Sequence, residues 1–286
     1  MTIKELFTHK KVFSFEVFPP KKNSSITTIY DTLAELSDLQ PDFISVTYGA
    51  GGNAADNTTC EIASFIKKRY NINSLAHLTC INSSKKDVDT VLESLKKEKI
   101  TNILALRGDI NPDIQRQGDF HYASELVEYI KEKGDFSISG ACYPEGHLES
   151  ENAINDIHFL KQKVDAGVDH LISQLFFDNN LFYSFIEKTR IAGITVPIQA
   201  GIMPVVNKKQ IERMVSLCGV SLPAKFSKTM KRFEYNNEAL RDAGIAYAVN
   251  QIIDLVANGV DGIHLYTMNN PYIARKIAGS IKNIIA

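Results

Sequence analysis

Residues 137–177 read SISGACYPEGHLESENAINDIHFLKQKVDAGVDHLISQLFF and show most clearly the pattern that predicts the fold. Its two ends, SISGACY and HLISQLFF, are short apolar runs of the kind found in parallel strands that are covered on both faces. Between them, apolar residues recur at the spacing of one helix face: Ile154, Ile157, Leu160 and Val164. A strand, an amphipathic helix and a second strand in this order predict a βαβ unit.

The same pattern repeats along the whole chain. Eight runs carry it: VFSFEVF (12–18), FISVTYG (43–49), SLAHLTC (74–80), NILALRGD (102–109), SISGACY (137–143), HLISQLFF (170–177), PIQAGIM (197–203) and GIHLYTM (262–268). Amphipathic stretches such as 28–39, 88–98 and 153–166 separate them, and 222–258 is long enough for more than one helix. Eight such units with no linker between them predict an α/β protein with a single closed (β/α)8 barrel rather than an open sheet.

The composition is that of an ordinary globular enzyme. The chain has 286 residues, 44% of them hydrophobic, and a formal net charge of −1, which argues against a nucleic-acid partner. The amino terminus, MTIKELFTHKK, does not resemble a signal peptide, and no apolar run is long enough to span a membrane. The four cysteines form no CxxC pair, so we expect reduced thiols, no metal site and a cytoplasmic location.

Polar side chains gather where the predicted strands end. Barrel enzymes place their chemistry at this carboxyl-terminal face, and burying many hydrogen-bonding groups there is costly unless a ligand or water satisfies them. The polar residues at these ends are Glu16, Thr47, His77, Arg107, Asp109, Tyr143, Glu145, His147, Gln174 and Asn269. The sequence therefore predicts a ligand site at this face.

Glu16 lies among Phe13, Phe15 and Phe18. Desolvation by these rings should raise the pKa of the carboxyl, so that it can donate a proton near neutral pH. The alternative is a glutamate paired with a buried arginine such as Arg107. The strand alone does not decide between these interpretations.

Three other chemistries fit the sequence less well. Residues 49–54 match G-x-G-x-x-A, but the next strand lacks the acidic residue that a dinucleotide fold needs, so we interpret the glycines as a loop over the barrel mouth. A metal site built from His77, Asp109, Glu145 and His147 would place Arg107 beside the cation. A Schiff-base mechanism needs a lysine in one of the eight runs, and none contains one.

In combination, these segments resemble the bacterial methylenetetrahydrofolate reductase family. The matching pieces run from Phe13 to about Ala278: SFEVFPPK, FISVTYGAGG, AHLTC, ALRGD, YPEGH, KVDAG, ISQLFFD, GIMPV and HLYTMN. The resemblance implies one FAD-binding barrel domain over residues 1–286, without the regulatory domain of longer eukaryotic members. It further implies that NADH or NADPH reduces the flavin, which then reduces methylenetetrahydrofolate to 5-methyltetrahydrofolate for methionine synthesis.

The resemblance also implies roles for individual residues. By motif match, Glu16 is the general acid that helps to open the substrate ring to an iminium, and Asp109 lies near both flavin and folate. Gln174 and Gln210 match substrate contacts, and Thr47 matches a nicotinamide-nucleotide contact. FAD contacts correspond to Tyr48, Ala50, His77, Arg107, Gly108, Asp109, Tyr122, Ala123, Tyr143, His147, Asp156 and Lys163.

Two positions depart from the family pattern. Asn270 stands where members often have an arginine that contacts folate, and Met214 stands where an aromatic residue packs on the ligands. We expect a folate substrate, a homo-oligomer and, as an option, a partner redox subunit. The competing hypotheses are a non-catalytic folate- or flavin-binding subunit and a flavin barrel of the proline dehydrogenase type.

Overall fold

A computed structural model of the chain describes residues 2–20, 25–48, 57–110, 118–207, 209–212 and 218–285. Its parallel strands close into a barrel in sequence order, with β1 pairing both β2 and β8. The strands are β1 (Val12–Val17), β2 (Phe43–Val46), β3 (Asn73–Thr79), β4 (Asn102–Leu106), β5 (Ser137–Cys142), β6 (His170–Ser173), β7 (Ile198–Ile202) and β8 (Gly262–Tyr266).

Helices follow the strands around the outside of the barrel. They are α1 (Ile3–Leu6), α2 (Thr27–Ser37), α3 (Thr58–Tyr70), α4 (Lys85–Lys97), α5 (Ala123–Lys133), α6 (Ala153–Asp165), α7 (Asn179–Ile191), α8 (Ala224–Phe233), α9 (Asn237–Ala257) and α10 (Pro271–Ile285). Within the described ranges, none of these helices has the length and apolar character needed to cross a membrane.

The predicted barrel is confirmed, including the division of 222–258 into two helices, α8 and α9. One detail of the helix prediction is wrong. Ile154 is 82% exposed, whereas Leu160 is buried in the core, so the apolar face of α6 begins one turn later than predicted. Asn152 explains where α6 begins, because its side chain accepts hydrogen bonds from the amides of Ile154 and Asn155.

Alternation along the strands separates two environments. Side chains such as Phe15, Ile44 and Leu78 face outward and form the main hydrophobic core. Alternate positions face the barrel interior and are often polar, as at Ser14 and His264, which are fully buried. The barrel interior therefore contains a network of polar side chains and is not uniformly apolar.

The amino-terminal end of the barrel is closed by α1. Ile3 and Leu6 pack with Val12 and Leu75 in a separate apolar cluster. The ring of Phe7 lies 4.7 Å from that of His170, centroid to centroid. This closure leaves the carboxyl-terminal face as the open end.

Candidate active site

Two neighbouring cavities open at the carboxyl-terminal ends of the strands. The central cavity, of about 710 Å³, is lined by residues from all eight strands or the loops that follow them. The side cavity, of about 540 Å³, lies where β4 and β5 meet α5 and α6. Both cavities share Arg107, Tyr143 and His147, so one elongated ligand can extend from one into the other.

Most residues predicted from the sequence line these cavities. Those in the central cavity are Glu16, Thr47, Tyr48, His77, Arg107, Gly108, Asp109, Tyr143, His147 and Gln174. Those in the side cavity are Arg107, Tyr122, Ala123, Tyr143, His147, Asp156 and Lys163. Ala50, Met214 and the 49–54 motif lie outside the described residues.

Gln210 is placed differently from the other predicted site residues. Its side-chain oxygen accepts a hydrogen bond from the amide of Val206, and its side-chain nitrogen donates to the carbonyl of Pro204. The side chain thus ties together the segment after β7 and does not line either cavity. Its role as a substrate contact stays a prediction.

Glu16 lies at the floor of the central cavity beside two histidines. Its Oε2 is 3.4 Å from Nε2 of His264 and 3.6 Å from Nε2 of His77, and its side chain is 19% exposed. Arg107 is not its partner, because that guanidinium pairs with Glu149. The alternative of a glutamate paired with a buried arginine is therefore wrong for this residue.

The pKa of Glu16 also differs from the sequence-based expectation. Desolvation is the largest single influence and raises the pKa. The hydrogen bond from His264, the charges of the two histidines and a hydrogen bond from Ser45 together lower it by more. The net pKa is lowered, so the prediction of a raised pKa is wrong. The phenylalanines that suggested it include Phe15, which faces the outer core.

The histidines differ in their surroundings. His264 is fully buried, and its Nδ1 lies 2.7 Å from Oγ of Ser14. His77 is also buried, but its Nε2 has no hydrogen-bond partner among the residues that the structure describes, and desolvation lowers its pKa to about 4. His77 therefore presents a neutral ring with an unused polar atom toward the cavity.

Gly108 allows β4 to turn into the cavity wall. Its φ is +81°, and a Cβ built on it would come within 2.9 Å of Cβ of Thr79. A side chain here would be strained by its backbone and would collide with β3. The next residue, Asp109, is exposed at the rim, and its carbonyl accepts a hydrogen bond from the side chain of Asn82.

Two cationic side chains of the side cavity, Arg107 and Lys163, differ in their ion pairing. Arg107 makes a two-pronged ion pair with Glu149, with nitrogen–oxygen distances of 2.5 and 2.8 Å. Lys163 is half-buried, donates a hydrogen bond to the carbonyl of Ala141, and has a pKa lowered by desolvation. Among the described residues, Lys163 has no carboxylate within ion-pair distance.

Sequence reasoning missed several residues of the site. His264 and Tyr266 of β8 both belong to it, and Tyr266 donates a hydrogen bond to the carbonyl of Ser173. Gly201 permits this contact, because a Cβ there would lie 2.2 Å from that carbonyl oxygen. Phe159 was missed as well, although it lines the side cavity and is 56% exposed.

Other predicted features are also located. Cys60, Cys80 and Cys142 are buried free thiols, and Cys218, which is partly exposed, lines the central cavity. Within the described ranges, no three histidine, cysteine, aspartate or glutamate side chains come together as a metal site would require.

A parallel (β/α)8 barrel with a carboxylate–histidine cluster at its carboxyl-terminal face has the architecture of the barrel enzymes, whose active sites lie at this face. Comparison with known families shows to which family of barrel enzymes the chain belongs. The family model for methylenetetrahydrofolate reductase matches residues 2–282, and the chain belongs to this family.

Individual relatives agree with this assignment. The chain is 36% identical over 268 residues to 5,10-methylenetetrahydrofolate reductase of Escherichia coli (strain K12), covering 94% of this chain and 90% of that protein. It is 37% identical over 272 residues to methylenetetrahydrofolate reductase (NADH) 1 of Arabidopsis thaliana, covering 90% of this chain. The chain spans 46% of the length of that plant relative.

A solved structure shares the fold. It is an uncharacterized protein from Clostridium thermocellum that binds two copies of 5-methyl-5,6,7,8-tetrahydrofolic acid. It superposes with a TM-score of 0.70 at 14% identity, covering 99% of this chain and 98% of that one.

Proposed function

We propose that this protein reduces 5,10-methylenetetrahydrofolate to 5-methyltetrahydrofolate. In this proposal NADH or NADPH supplies the electrons through bound FAD in a ping-pong cycle, and the product provides the methyl group for methionine synthesis. The observation that carries the proposal is the position of Glu16 at the cavity floor, between His77 and His264 and beside a second cavity that holds cations. Family membership supports the folate substrate, and the plant relatives are named for NADH.

The side cavity suits the diphosphate of FAD. Lys163 is a cation without a carboxylate partner among the described residues, and nearby negative charge would offset the desolvation that lowers its pKa. Arg107 already holds the two oxygens of Glu149 in the paired geometry that a guanidinium also offers to a phosphate. In the central cavity, the unused Nε2 of His77 is a further polar atom available to the cofactor. These residues fit the group that the family implies.

The chemistry that FAD supplies when bound is hydride transfer, first from the nicotinamide and then to the folate. The protein must therefore deliver a proton to the folate, and Glu16 is placed to do so from Oε2. Asp109 contributes negative charge at the rim, which stabilises a cation that develops on the substrate. Gln174 lines the same cavity and offers an amide to either ligand.

The lowered pKa of Glu16 defines what substrate binding must change. A ligand that fills the central cavity excludes water from the carboxylate, and added desolvation raises its pKa. The protonated form of the carboxyl is therefore favoured more strongly while the folate is bound. His264, with Ser14 on its other ring nitrogen, is the nearest group able to exchange a proton with Oε2.

The first test is direct. The purified protein should be yellow, release FAD on denaturation, bleach anaerobically with NADH or NADPH, and recover its colour when methylenetetrahydrofolate is added. Release of FMN, or absence of flavin after reconstitution, would contradict the cofactor. Bleaching by the nicotinamide without recovery by the folate would contradict the substrate.

Phe159 should contribute to discrimination between FAD and FMN. Phe159 and Tyr122 are 56% and 63% exposed, and both line the side cavity, where an adenine ring could stack on them. Stacking of a base on an aromatic side chain contributes about 1–3 kcal/mol, so Phe159→Ala should raise the Kd of FAD by roughly 5- to 150-fold. The Kd of FMN, which lacks adenine, should stay the same when both are measured by flavin fluorescence.

Ile154→Ala is the matched control for this substitution. Ile154 is an exposed apolar residue of the same helix, but it does not line the side cavity. Its removal should leave both affinities unchanged. Equal weakening of FAD and FMN by Phe159→Ala would show that the ring supports the fold of the cavity rather than the adenine.

A further inference from the structure

The turn after β8 has a backbone conformation that most residues avoid. Residues 267–270 form a tight turn, which is closed by a hydrogen bond of 2.9 Å from the amide of Asn270 to the carbonyl of Thr267. Its two central residues, Met268 and Asn269, have φ values of +52° and +53°. Turns with two positive φ values favour glycine, asparagine or aspartate. Methionine has no such preference, so the surrounding contacts must hold Met268 in this conformation.

The side chains of this turn hold the end of β1. Oγ1 of Thr267 donates a hydrogen bond of 2.6 Å to the carbonyl of Glu16. Asn269 bonds to both polar groups of the Phe18 backbone: its Oδ1 accepts from the amide at 3.0 Å, and its Nδ2 donates to the carbonyl at 2.8 Å. The amide of Asn269 in turn donates to Oγ1 of Thr267 at 3.2 Å. We call this set of contacts, made by Thr267 and Asn269, the β8 clamp.

The β8 clamp continues the connection between β1 and β8 where regular strand pairing stops. The register of β1 with β8 ends at Glu16. Two residues further, Phe18 supplies the last backbone donor before Pro19 and Pro20, which have no amide hydrogen. Since the backbone of β8 has already entered its turn, the side chain of Asn269 takes the place of a paired strand. The end of β1 is therefore held to β8 by side chains.

The carboxylate of Glu16 depends on this support, because its contacts with the two histidines are long. Its Oε2 lies 3.4 Å from Nε2 of His264 and 3.6 Å from Nε2 of His77, at or beyond the usual range of a hydrogen bond. A hydrogen bond from Ser45 is its further contact. The place of the carboxylate in the cavity therefore follows from where the backbone of residue 16 lies. The β8 clamp holds that backbone at Glu16 itself and again two residues later.

Neither ligand contact nor turn formation explains the asparagine at position 269. Thr267 and Asn269 do not line the central or the side cavity. Glycine would fit the positive φ of residue 269 at least as well as asparagine does. What asparagine adds is the amide group that bonds to Phe18. The next residue, Asn270, has a separate role, because its Oδ1 accepts a hydrogen bond from the amide of Ile273 in the first turn of α10.

We propose that Asn269 and Thr267 are positioning residues for proton delivery by Glu16. They fix the end of β1, so that the carboxyl keeps the position from which it gives its proton to the folate. This inference rests on the proposed function, because it takes Glu16 as the acid of the folate half-reaction. It assigns a role to a polar strand end that touches neither cavity.

Asn269→Gly separates this role from that of an ordinary turn residue. Glycine removes both bonds to Phe18 but suits a φ of +53°, so the turn itself should persist. In the FAD-loaded enzyme, reoxidation by methylenetetrahydrofolate should slow by about 10- to 100-fold, because a displacement of about 1 Å can have effects of this size. Reduction by NADH or NADPH should keep nearly its original rate. Anaerobic stopped-flow absorbance measures both half-reactions.

The same substitution in a Glu16→Gln background shows whether Asn269 acts through the acid. If it does, Asn269→Gly should slow reoxidation no further once the acid has been removed, since the two residues then belong to one unit. A merely structural role would slow reoxidation by the same factor in both backgrounds. The ratio of the two factors is thus the quantity that tests the inference.

Thr267 provides a second pair of variants. Thr267→Val keeps the shape but lacks the hydroxyl that donates to the carbonyl of Glu16, so it should also slow the folate half-reaction. Thr267→Ser restores the hydroxyl and should recover the rate. Asn71→Gly is the matched control, because Asn71 has a φ of +55° but lies at the end of α3, where the chain enters the amino-terminal end of β3. It should change neither half-reaction.

The outcomes separate this inference from the proposed function. Unchanged reoxidation in Asn269→Gly, or an equal loss in both backgrounds, would overturn the inference and leave the proposed function intact. No slowing by Glu16→Gln would overturn it as well, because there would be no acid to position. Failure of methylenetetrahydrofolate to reoxidise the unmodified enzyme would contradict the proposed function, and this inference with it.

Discussion

Glu16→Gln should slow reoxidation of the reduced enzyme by methylenetetrahydrofolate by about 10²–10⁴-fold, the usual contribution of a general acid. Reduction of the enzyme by NADH should proceed at nearly the original rate. The physical reason is that glutamine keeps the size of the side chain and a hydrogen-bonding oxygen but has no acidic proton to transfer. Hydride transfer from the nicotinamide needs no such proton. Anaerobic stopped-flow absorbance measures the two half-reactions separately.

The surroundings of Glu16 indicate which step the substitution should affect. Oε2 of Glu16 has His264 at 3.4 Å and His77 at 3.6 Å, so the variant places an amide among groups that favour a carboxylate. The side chain lies near the hydrogen-bonded network that Ser14 and Ser45 form with His264. This network does not depend on the negative charge of Glu16, so the substitution should leave it in place. We therefore expect the defect to lie in proton delivery and the flavin affinity to change little.

Glu145→Gln is the matched comparison for Glu16→Gln. It makes the same chemical change at another strand end, but Glu145 accepts a hydrogen bond from the amide of Ser221 and does not line the central cavity. Its effect should be small and similar in the two half-reactions. Equal slowing of both half-reactions by Glu16→Gln would indicate a structural role for Glu16. No slowing at all would move the search for the acid to Asp109, which lines the central cavity.

The architecture was predictable because the apolar runs and the helical spacing between them are local properties of the sequence. The strand ends identified the carboxyl-terminal face, and most predicted residues line its cavities. The partners of those residues were not predictable in the same way. Arg107 pairs with Glu149, which lies 42 positions away in the sequence, and neither residue type specifies the other.

The eight apolar runs contain a pattern from which the position of His264 could have been predicted. Inside them, polar residues stand two apart, as Ser14 and Glu16 do in β1 and His264 and Tyr266 do in β8. That period marks the side chains that face the interior of a closed barrel. The register of β1 with β8 pairs Ser14 with His264 and Glu16 with Tyr266, and this pairing brings the histidine to the carboxylate. The pKa of Glu16 depended on this neighbour, so the sequence alone predicted its direction wrongly.

Acidification from pH 7 to pH 5 should lower the free energy of unfolding by about 4 kcal/mol through two buried histidines. Desolvation lowers the pKa of His77 to about 4 and that of His170 to about 3, from the ordinary value of 6.5. Between pH 6.5 and these values, the unfolded chain binds protons that the folded protein does not, so stability rises with pH in this window and is lost as pH falls. A pH of 5 is about 1.5 units below the unfolded pKa of each histidine. Each histidine therefore lowers the free energy of unfolding by about 2 kcal/mol at this pH.

Protonation of carboxylates changes the free energy of unfolding little between pH 7 and pH 5, so the test is specific for the histidines. The pKa of Glu16 is lowered, so its contribution to stability is complete above the unfolded value of about 4.3 and is lost only in stronger acid. Urea unfolding at pH 7, 6 and 5 should therefore show a decline that His77→Gln reduces by about half. His158→Gln, which removes an exposed histidine of α6, should leave the slope unchanged. Stability that stays level to pH 5 and falls only below pH 4.5 would mean that His77 and His170 take up protons as readily in the folded barrel as in the unfolded chain.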